Sequence, residues 1–524
     1  MIPGDTTRLS QHPPQHGSRL SIDELFRQIA ARRPDEIALV DAPNRQLFTD
    51  GAPRRLTFAQ ADRMISAIAG RLSRMGLPID TVVGIQLPNI VENVLTILGV
   101  LRAGMIAAPM PLLWRSADAI AAVARAGAKA LITCNRVGNF EHGRLATRVA
   151  ADVFSIRYVC GFGDDLPDGV VPLDDLFTIE KLDPIPLLNR DGNAAAHLAA
   201  ISFEIGEDGP VPVARRHLEL LAGGMCVLSE ARFTPFGRIL STIVPAGFAG
   251  ISLTLIPWIL TGGTLVLHHA FDAELFAAQR KDERCETLIL PAPVVFRFAE
   301  TGLFDGEDRA TVIAEWRAPD RLAASLLWQS KDKALVDVAV FGETGLVAGR
   351  RGEDGRPLPI PFGQVFSPRV GEAAAVFAEL KASAMNTLSI RGPLVAHHHY
   401  PPRVERTDLP HFAIGPGGYV DTGYACRYDP VRQSLVVTGP PAGFITIGGY
   451  RFPLRKLLDT IAKIDPAATL TTVSDPLVGH RFVGTASDPT AMRLALSAYG
   501  LNPLIAAAFA DPGEQEVHKA AAAG

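Results

Sequence analysis

The sequence predicts an α/β fold of βαβ units, with parallel sheets covered by helices on both faces. Three observations predict it. Short apolar runs alternate with longer amphipathic stretches through the first quarter of the chain. The amphipathic stretches open on capping signals or close on glycine. At 524 residues, with 48% hydrophobic and 20% charged content, the chain can bury a large core. Length alone suggests roughly three domains, or one large and one small.

The elements follow in order. Ser21 and Glu24 form a capping box, with Leu20 and Leu25 placed to staple it. Leu25, Phe26 and Ile29 mark one face of a helix that stops before Pro34. Thr57 and Gln60 repeat the box and open a helix with Met64, Ile65, Ile68, Ala69 and Leu72 inward, closed by Gly76. Then come a strand at 82–87, Pro88-Asn89 as turn and cap, and a helix over 90–102. A strand at 105–108 ending in Pro109-Met110-Pro111, a helix over 118–127 and a strand at 130–133 complete the series. Strands alternating with helices of this length call for a parallel sheet.

A net charge of −4 gives no electrostatic reason to expect nucleic acid or an anionic membrane surface. The five cysteines are scattered without a CxxC pair, which suits free thiols and a cytoplasmic setting. Residues 1–19 are polar, lack a signal peptide's apolar run, and read as a disordered tail. From Ile239 to Leu267 no residue is charged, but Pro245, Pro257 and Gly262-Gly263 interrupt the run. The expectation there is a buried helix followed by the strand 264–267, and no membrane span.

Residues 202–213 have the two-glycine spacing of a phosphate-holding loop, at Gly206 and Gly209. Such a loop works through backbone N–H groups, hydroxyls and a cation. Here Glu207 and Asp208 stand at its centre and lysine is absent. Two carboxylates facing a triphosphate would each repel it by about 4 kcal/mol near a protein surface. The stretch is therefore either a turn whose glycines answer only to backbone geometry or a relic of phosphate binding.

Several segments resemble the adenylate-forming superfamily of acyl- and aryl-CoA synthetases, peptide-synthetase adenylation domains and luciferases. They are Leu56-Thr57-Phe58-Ala59-Gln60, Leu87-Pro88-Asn89, Leu101-Arg102-Ala103-Gly104 with Pro109, Gly262-Gly263-Thr264, Phe271-Asp272, Pro291 and Gly448-Gly449-Tyr450-Arg451-Phe452. With gaps, the resemblance runs from about residue 20 to about 485. It implies a large N-terminal domain of several subdomains over 20–439 and a small α+β lid, shortened to 444–524. It also implies formation of an acyl-adenylate from a carboxylate and ATP-Mg, then transfer to the thiol of CoA.

The positions that would do this chemistry depart from the family's pattern. Glu204, Ile205, Glu207 and Asp208 fall on hydroxyl positions of the phosphate loop, and Pro212 falls on its lysine. Phe341-Gly342-Glu343-Thr344-Gly345 matches an aromatic-Gly-x-Thr-Glu motif, with Phe341 expected beside adenine and Thr344 at phosphate. Gly345 replaces the magnesium carboxylate, for which Glu343 is the nearby substitute. Thr422-Gly423-Tyr424 stands where the family has Thr-Gly-Asp for the ribose, with Asp421 alongside. Gly439-Pro440-Pro441-Ala442-Gly443 replaces a charged hinge, and after Lys463 the one remaining lysine is Lys519.

The nucleotide-binding remnant is accordingly expected at Gly206, Gly209, Phe341, Gly342, Thr344, Asp421 and Thr422, with Thr344 and Glu343 catalytic if the protein is active. No metal site is expected. His397, His398 and His399 alternate in direction on an extended chain and do not converge on one ion. His217 reads as a helix-start residue beside solvated Arg215 and Arg216. The primary expectation is a CoA-synthetase-like protein impaired in ATP-dependent adenylation. It would bind an acyl or aryl group, or act with a partner protein or a second copy of itself. The alternative is an active AMP-forming carboxylate–CoA ligase with a rebuilt phosphate site using ATP-Mg, CoA, and Arg451 or Arg455. A hydrolase grafted onto the acyl pocket is a third expectation, without a Gly-x-Ser-x-Gly elbow.

Overall fold

The computed structural model describes residues 19–510 except 180, 186–187, 189–191, 305–308, 323–325, 331, 367–375, 397–399 and 401–412. The expectations for residues 1–18, the histidine run 397–399 and Lys519 lie outside the described residues.

Three sheets organise the large N-terminal domain. In the eight-stranded sheet, Lys333–Phe341, Ala310–Trp316, Thr287–Pro291, Arg238–Ser241, Thr264–Leu267 and Ile37–Val40 lie side by side in parallel. Antiparallel edge strands Gly345–Arg350 and Arg55–Thr57 close its two ends. The seven-stranded sheet is also parallel, in the order Leu198–Gly206, Ile106–Pro109, Val82–Gln86, Ala130–Cys134, Tyr158–Phe162, Val170–Pro172, with Gly209–Arg216 antiparallel at one edge. A six-stranded antiparallel sheet includes Thr387–Arg391, Val420–Asp429 and Ser434–Gly439. The smaller C-terminal domain carries the hairpins Phe444–Ile447/Tyr450–Pro453 and Thr469–Asp475/Gly479–Thr485, plus helices Leu454–Ile464 and Pro489–Ala498.

Both capping boxes form: Glu24 N donates to Ser21 Oγ at 3.3 Å and Gln60 N to Thr57 Oγ1 at 3.2 Å. The helices they open, Ile22–Arg32 and Phe58–Arg74, bury the apolar faces read from the sequence. All five cysteines are free and buried.

The uncharged stretch is more broken than a helix and a strand. It gives the strand Arg238–Ser241, then helical turns Phe248–Gly250, Ile251–Leu255 and Ile256–Thr261, then Thr264–Leu267. The middle turn has π register, as expected where Pro257 supplies no N–H to the ladder. Gly224 lets this segment lie against helix His217–Ala231, since a Cβ there would fall 2.3 Å from Ile256 Cγ2. Among the described residues no helix is long and apolar enough to cross a membrane.

Asn89 is not a cap. The helix Val91–Arg102 is capped from outside, by Asp41 Oδ1 accepting Val91 N at 2.8 Å. Asn89 instead donates to the Ser241 and His268 carbonyls, tying the two parallel sheets together. Beside it, the buried Arg45 bridges Asp41 at 2.6 Å and Glu92 at 2.7 Å.

The small domain docks on both halves of the large one. Leu113 N donates to Tyr450 Oη at 3.3 Å, and Ala117 N donates to the Gly500 carbonyl at 3.0 Å. Leu477 and Val478 pack against the core around Val294, Val295 and Phe298. A cleft is left between the domains.

Candidate functional site

The two-glycine loop is a β-hairpin. Strand Leu198–Gly206 returns as Gly209–Arg216, with Gly206 paired to Gly209 and Glu207-Asp208 at the tip. Gly209 has φ +106°, which glycine adopts without strain. Both tip residues are exposed, and neither lines the cleft. The expected repulsion from Glu207 and Asp208 is therefore misplaced. A two-residue turn puts them outermost, and the hairpin carboxylate that does face the cleft is Glu204, within the strand.

Glu204 is held on every side. Its Oε1 accepts Ile205 N at 3.0 Å and Arg451 Nη1 at 2.5 Å, and its Oε2 accepts Glu343 N at 2.7 Å. Gly342 makes this approach feasible, because its φ is +58° and a Cβ there would stand 2.1 Å from Glu204 Oε2. Arg451 comes from the hairpin of the small domain and also donates to Tyr424 Oη at 3.0 Å. Burial pulls the Arg451 guanidinium down, but Glu204 and Tyr424 outweigh it and hold it above its ordinary range. Arg455, the other cation considered for phosphate, is exposed and outside the cleft lining.

Glu343 stands beside this pair at the turn between Lys333–Phe341 and Gly345–Arg350. Its Oε2 accepts Phe248 N at 2.8 Å, and Gly247 leaves room for the carboxylate, since a Cβ there would lie 2.7 Å from Oε1. Burial pushes its carboxyl above the usual range and the nearby Glu204 adds to that; Phe248 N–H and Arg215 oppose it.

Arg215 and Arg216 are not solvated. Arg215 is fully buried, stacks 3.9 Å over Phe248, and donates to the carbonyls of Glu343, Thr344 (3.2 Å) and Leu394 (2.8 Å). Its work is to pin the Glu343 turn to the hairpin. His217 does begin helix His217–Ala231, and its Nδ1 accepts Ile22 N at 3.2 Å.

The other expected positions do not reach the cleft lining. Phe341 is 1% exposed and packs edge-on against Tyr424, with ring centroids 5.8 Å apart. Thr344 is buried with its N–H on the Phe341 carbonyl at 3.0 Å. Thr422 Oγ1 donates to the Leu388 carbonyl at 2.7 Å. Asp421 is exposed and accepts Thr387 Oγ1 at 2.7 Å and Gly423 N at 2.8 Å. Gly206 and Gly209 serve the hairpin end. Of the set expected from sequence, Gly342 and Glu343 line the cleft.

Sequence reasoning missed Glu315, Arg317 and Arg321, all on the cleft wall. Arg317 Nε donates to Glu315 Oε1 at 3.0 Å, and Tyr424 Oη donates to the Arg317 carbonyl at 3.2 Å. The rest of the wall is largely apolar, with Trp114 and Phe203 edge-to-face at 5.6 Å beside Ile243 and Val244. Such a cleft accepts an apolar body and can orient a polar end. Among the described residues no cluster of three or more His, Cys, Asp or Glu could hold a metal ion.

The arrangement, two parallel sheets and an antiparallel sheet capped by a small domain over a cleft, is that of adenylate-forming enzymes. Residues 26–166 match the AMP-binding enzyme family. Over 481 residues the chain is 25% identical to the 2-hydroxy-7-methoxy-5-methyl-1-naphthoate–CoA ligase of Streptomyces carzinostaticus, covering 86% of this chain and 80% of that protein. It is 21% identical to the medium-chain fatty-acid–CoA ligase of Escherichia coli, covering 88% and 80%. Among solved structures, the amide bond synthetase McbA from Marinactinospora thermotolerans shares the fold at TM-score 0.67 and 18% identity, covering 92% of this chain and 94% of that one. The chain is a divergent, acyl/aryl-CoA-ligase-like member of the adenylate-forming superfamily.

Proposed function

We propose that this protein holds an acyl or aryl ligand in the interdomain cleft and is impaired in ATP-dependent adenylation. The observation that carries the reading is Glu204. Its carboxylate takes the Ile205 and Glu343 N–H groups and the Arg451 guanidinium, the kinds of donor a phosphate would need. Magnesium is served no better. Gly345 offers no carboxylate, and burial holds Glu343 towards its neutral form. Tyr424 Oη is engaged with Arg317 and Arg451 rather than open to a ribose. The residues present therefore do not fit ATP-Mg. We place the division of the chain at Gly439–Gly443, between a ligand-holding body (20–439) and a lid (444–524).

ATP–pyrophosphate exchange over a panel of fatty and aromatic acids tests this. The expected result is no exchange above background, with or without magnesium. Clear metal-dependent exchange lost on Thr344→Ala would overturn it.

One observation favours a second reading, an active AMP-forming carboxylate–CoA ligase with a rebuilt site. Glu207 and Asp208 are exposed, so the expected charge barrier is absent from the loop tip. In that reading the Glu204–Arg451 pair opens and Arg451 moves onto phosphate.

A further inference from the structure

The charged groups of the cleft do not all pair. Three guanidiniums and three carboxylates line it: Arg317, Arg321 and Arg451 against Glu204, Glu315 and Glu343. Arg451 is paired with Glu204 at 2.5 Å and Arg317 with Glu315 at 3.0 Å. Glu343 and Arg321 remain, and they are not paired with each other among the described residues. Glu343 is spoken for by Phe248 N–H and sits in a buried turn that disfavours its charge. Arg321 closes the short helical turn Pro319–Arg321, half-buried at the cleft wall. It makes a long hydrogen bond, Nη2 to the Thr446 carbonyl at 3.5 Å. Its Nη1 faces Gly479 closely enough that a Cβ there would stand 3.1 Å away, and Pro293 borders the same spot at 3.4 Å. Burial draws the guanidinium below its ordinary range, partly offset by Asp320 and Tyr424. Among the described residues this partly desolvated guanidinium has Asp320 nearby but no salt bridge to a carboxylate, an arrangement that is costly unless something else completes it.

We infer that Arg321 is the specificity-determining residue of the cleft. It pairs with an oxyanion on an otherwise apolar or aromatic ligand, which is held as the intact anion rather than as a neutral ester or thioester. The argument rests on the proposed reading of the cleft as an acyl/aryl site, and extends it to the ligand's charge. The apolar wall around Trp114, Phe203, Ile243 and Val244 takes the body, and Arg321 beside Pro293 and Val478 takes the charged end. A carboxylate and a phosphate monoester present the same forked oxygens to a guanidinium.

Titration calorimetry on the full chain with 2-naphthoate, 2-naphthyl phosphate and the neutral 2-naphthamide tests this. Wild type is expected to bind at least one of the two anions about tenfold more tightly than the amide. Arg321→Leu is expected to remove that preference, and Arg321→Lys to restore part of it. Whichever anion shows the Arg321 dependence identifies the source of the oxyanion. Equal binding of anion and amide, or an anion preference that survives Arg321→Leu, overturns the inference while the acyl/aryl reading stands. Failure of all three probes to bind wild type overturns both. Adenylation detected by pyrophosphate exchange overturns the impaired-enzyme reading without touching the role of Arg321.

Discussion

Gly342 and Glu204 occupy the same small space: a single carbon added to Gly342 would lie 2.1 Å from the Glu204 carboxylate. The contact joins the turn after the longest parallel strand of one sheet to the hairpin of the other. It sets the position of the only carboxylate that bridges the two domains within the cleft among the described residues.

Gly342→Ala should therefore destabilise the protein by about 1–3 kcal/mol, combining the clash with the cost of a side chain at positive φ. Chemical denaturation reads it. Glu204→Ala in the same chain should recover the part due to the clash, so the two changes should be markedly non-additive. Additive losses would show that the two groups do not compete for space.

The Glu204–Arg451 pair should show a coupling energy of about 1–3 kcal/mol in a double-mutant cycle. With side chains 19% and 12% exposed, it should also respond weakly to salt. A coupling near zero, or one erased by salt, would reduce the pair to a surface contact.

Asp118 gives a pH signature of domain docking. Burial pushes its carboxyl from 3.8 to about 6, with Lys456 of the small domain opposing. Because the folded value is raised, the protonated form suits the fold. That contribution is full below the ordinary value and is lost as pH rises through about 6. Asp118→Asn keeps it at all pH. The variant should gain on wild type between about pH 4 and pH 6, by at most about 3 kcal/mol. Parallel stability curves for the two proteins would contradict this.

Gly224→Ala should cost about 1–3 kcal/mol, because the helix 217–231 would have to back away from Ile256. Ile256→Ala should cost less in the Gly224→Ala background than alone. Thermal melts of the three proteins decide it.

Much of the fold was legible in the chain. Capping boxes at Ser21 and Thr57 and the apolar alternation through residue 134 are local signals, and each element formed within a few residues of its expected place. The site was less legible because its contacts are remote in sequence. Glu204 and Arg451 stand 247 positions apart, and Arg215 and Glu343 stand 128 apart. One signal was available. A Gly-Glu-Asp-Gly stretch between two apolar runs favours a two-residue hairpin, which would have placed Glu207 and Asp208 at the tip and Glu204 in the ladder. Arg215 looked like a surface charge next to Arg216, and only the carbonyls it collects from two other segments explain its burial. Tyr424 looked like a lost ribose contact, and its actual task, joining Arg317 to Arg451, belongs to three distant segments.

Because Arg451 belongs to the small domain and Glu204 to the large one, their ion pair is also a clasp between the two domains on the cleft wall. For a ligand that enters past this pair, admission and the parting of the two side chains are one kinetic event. Observed binding rates should climb with ligand concentration only until they meet a ceiling, the frequency at which the clasp lets go. Stopped-flow traces of Glu204→Gln should show that ceiling raised.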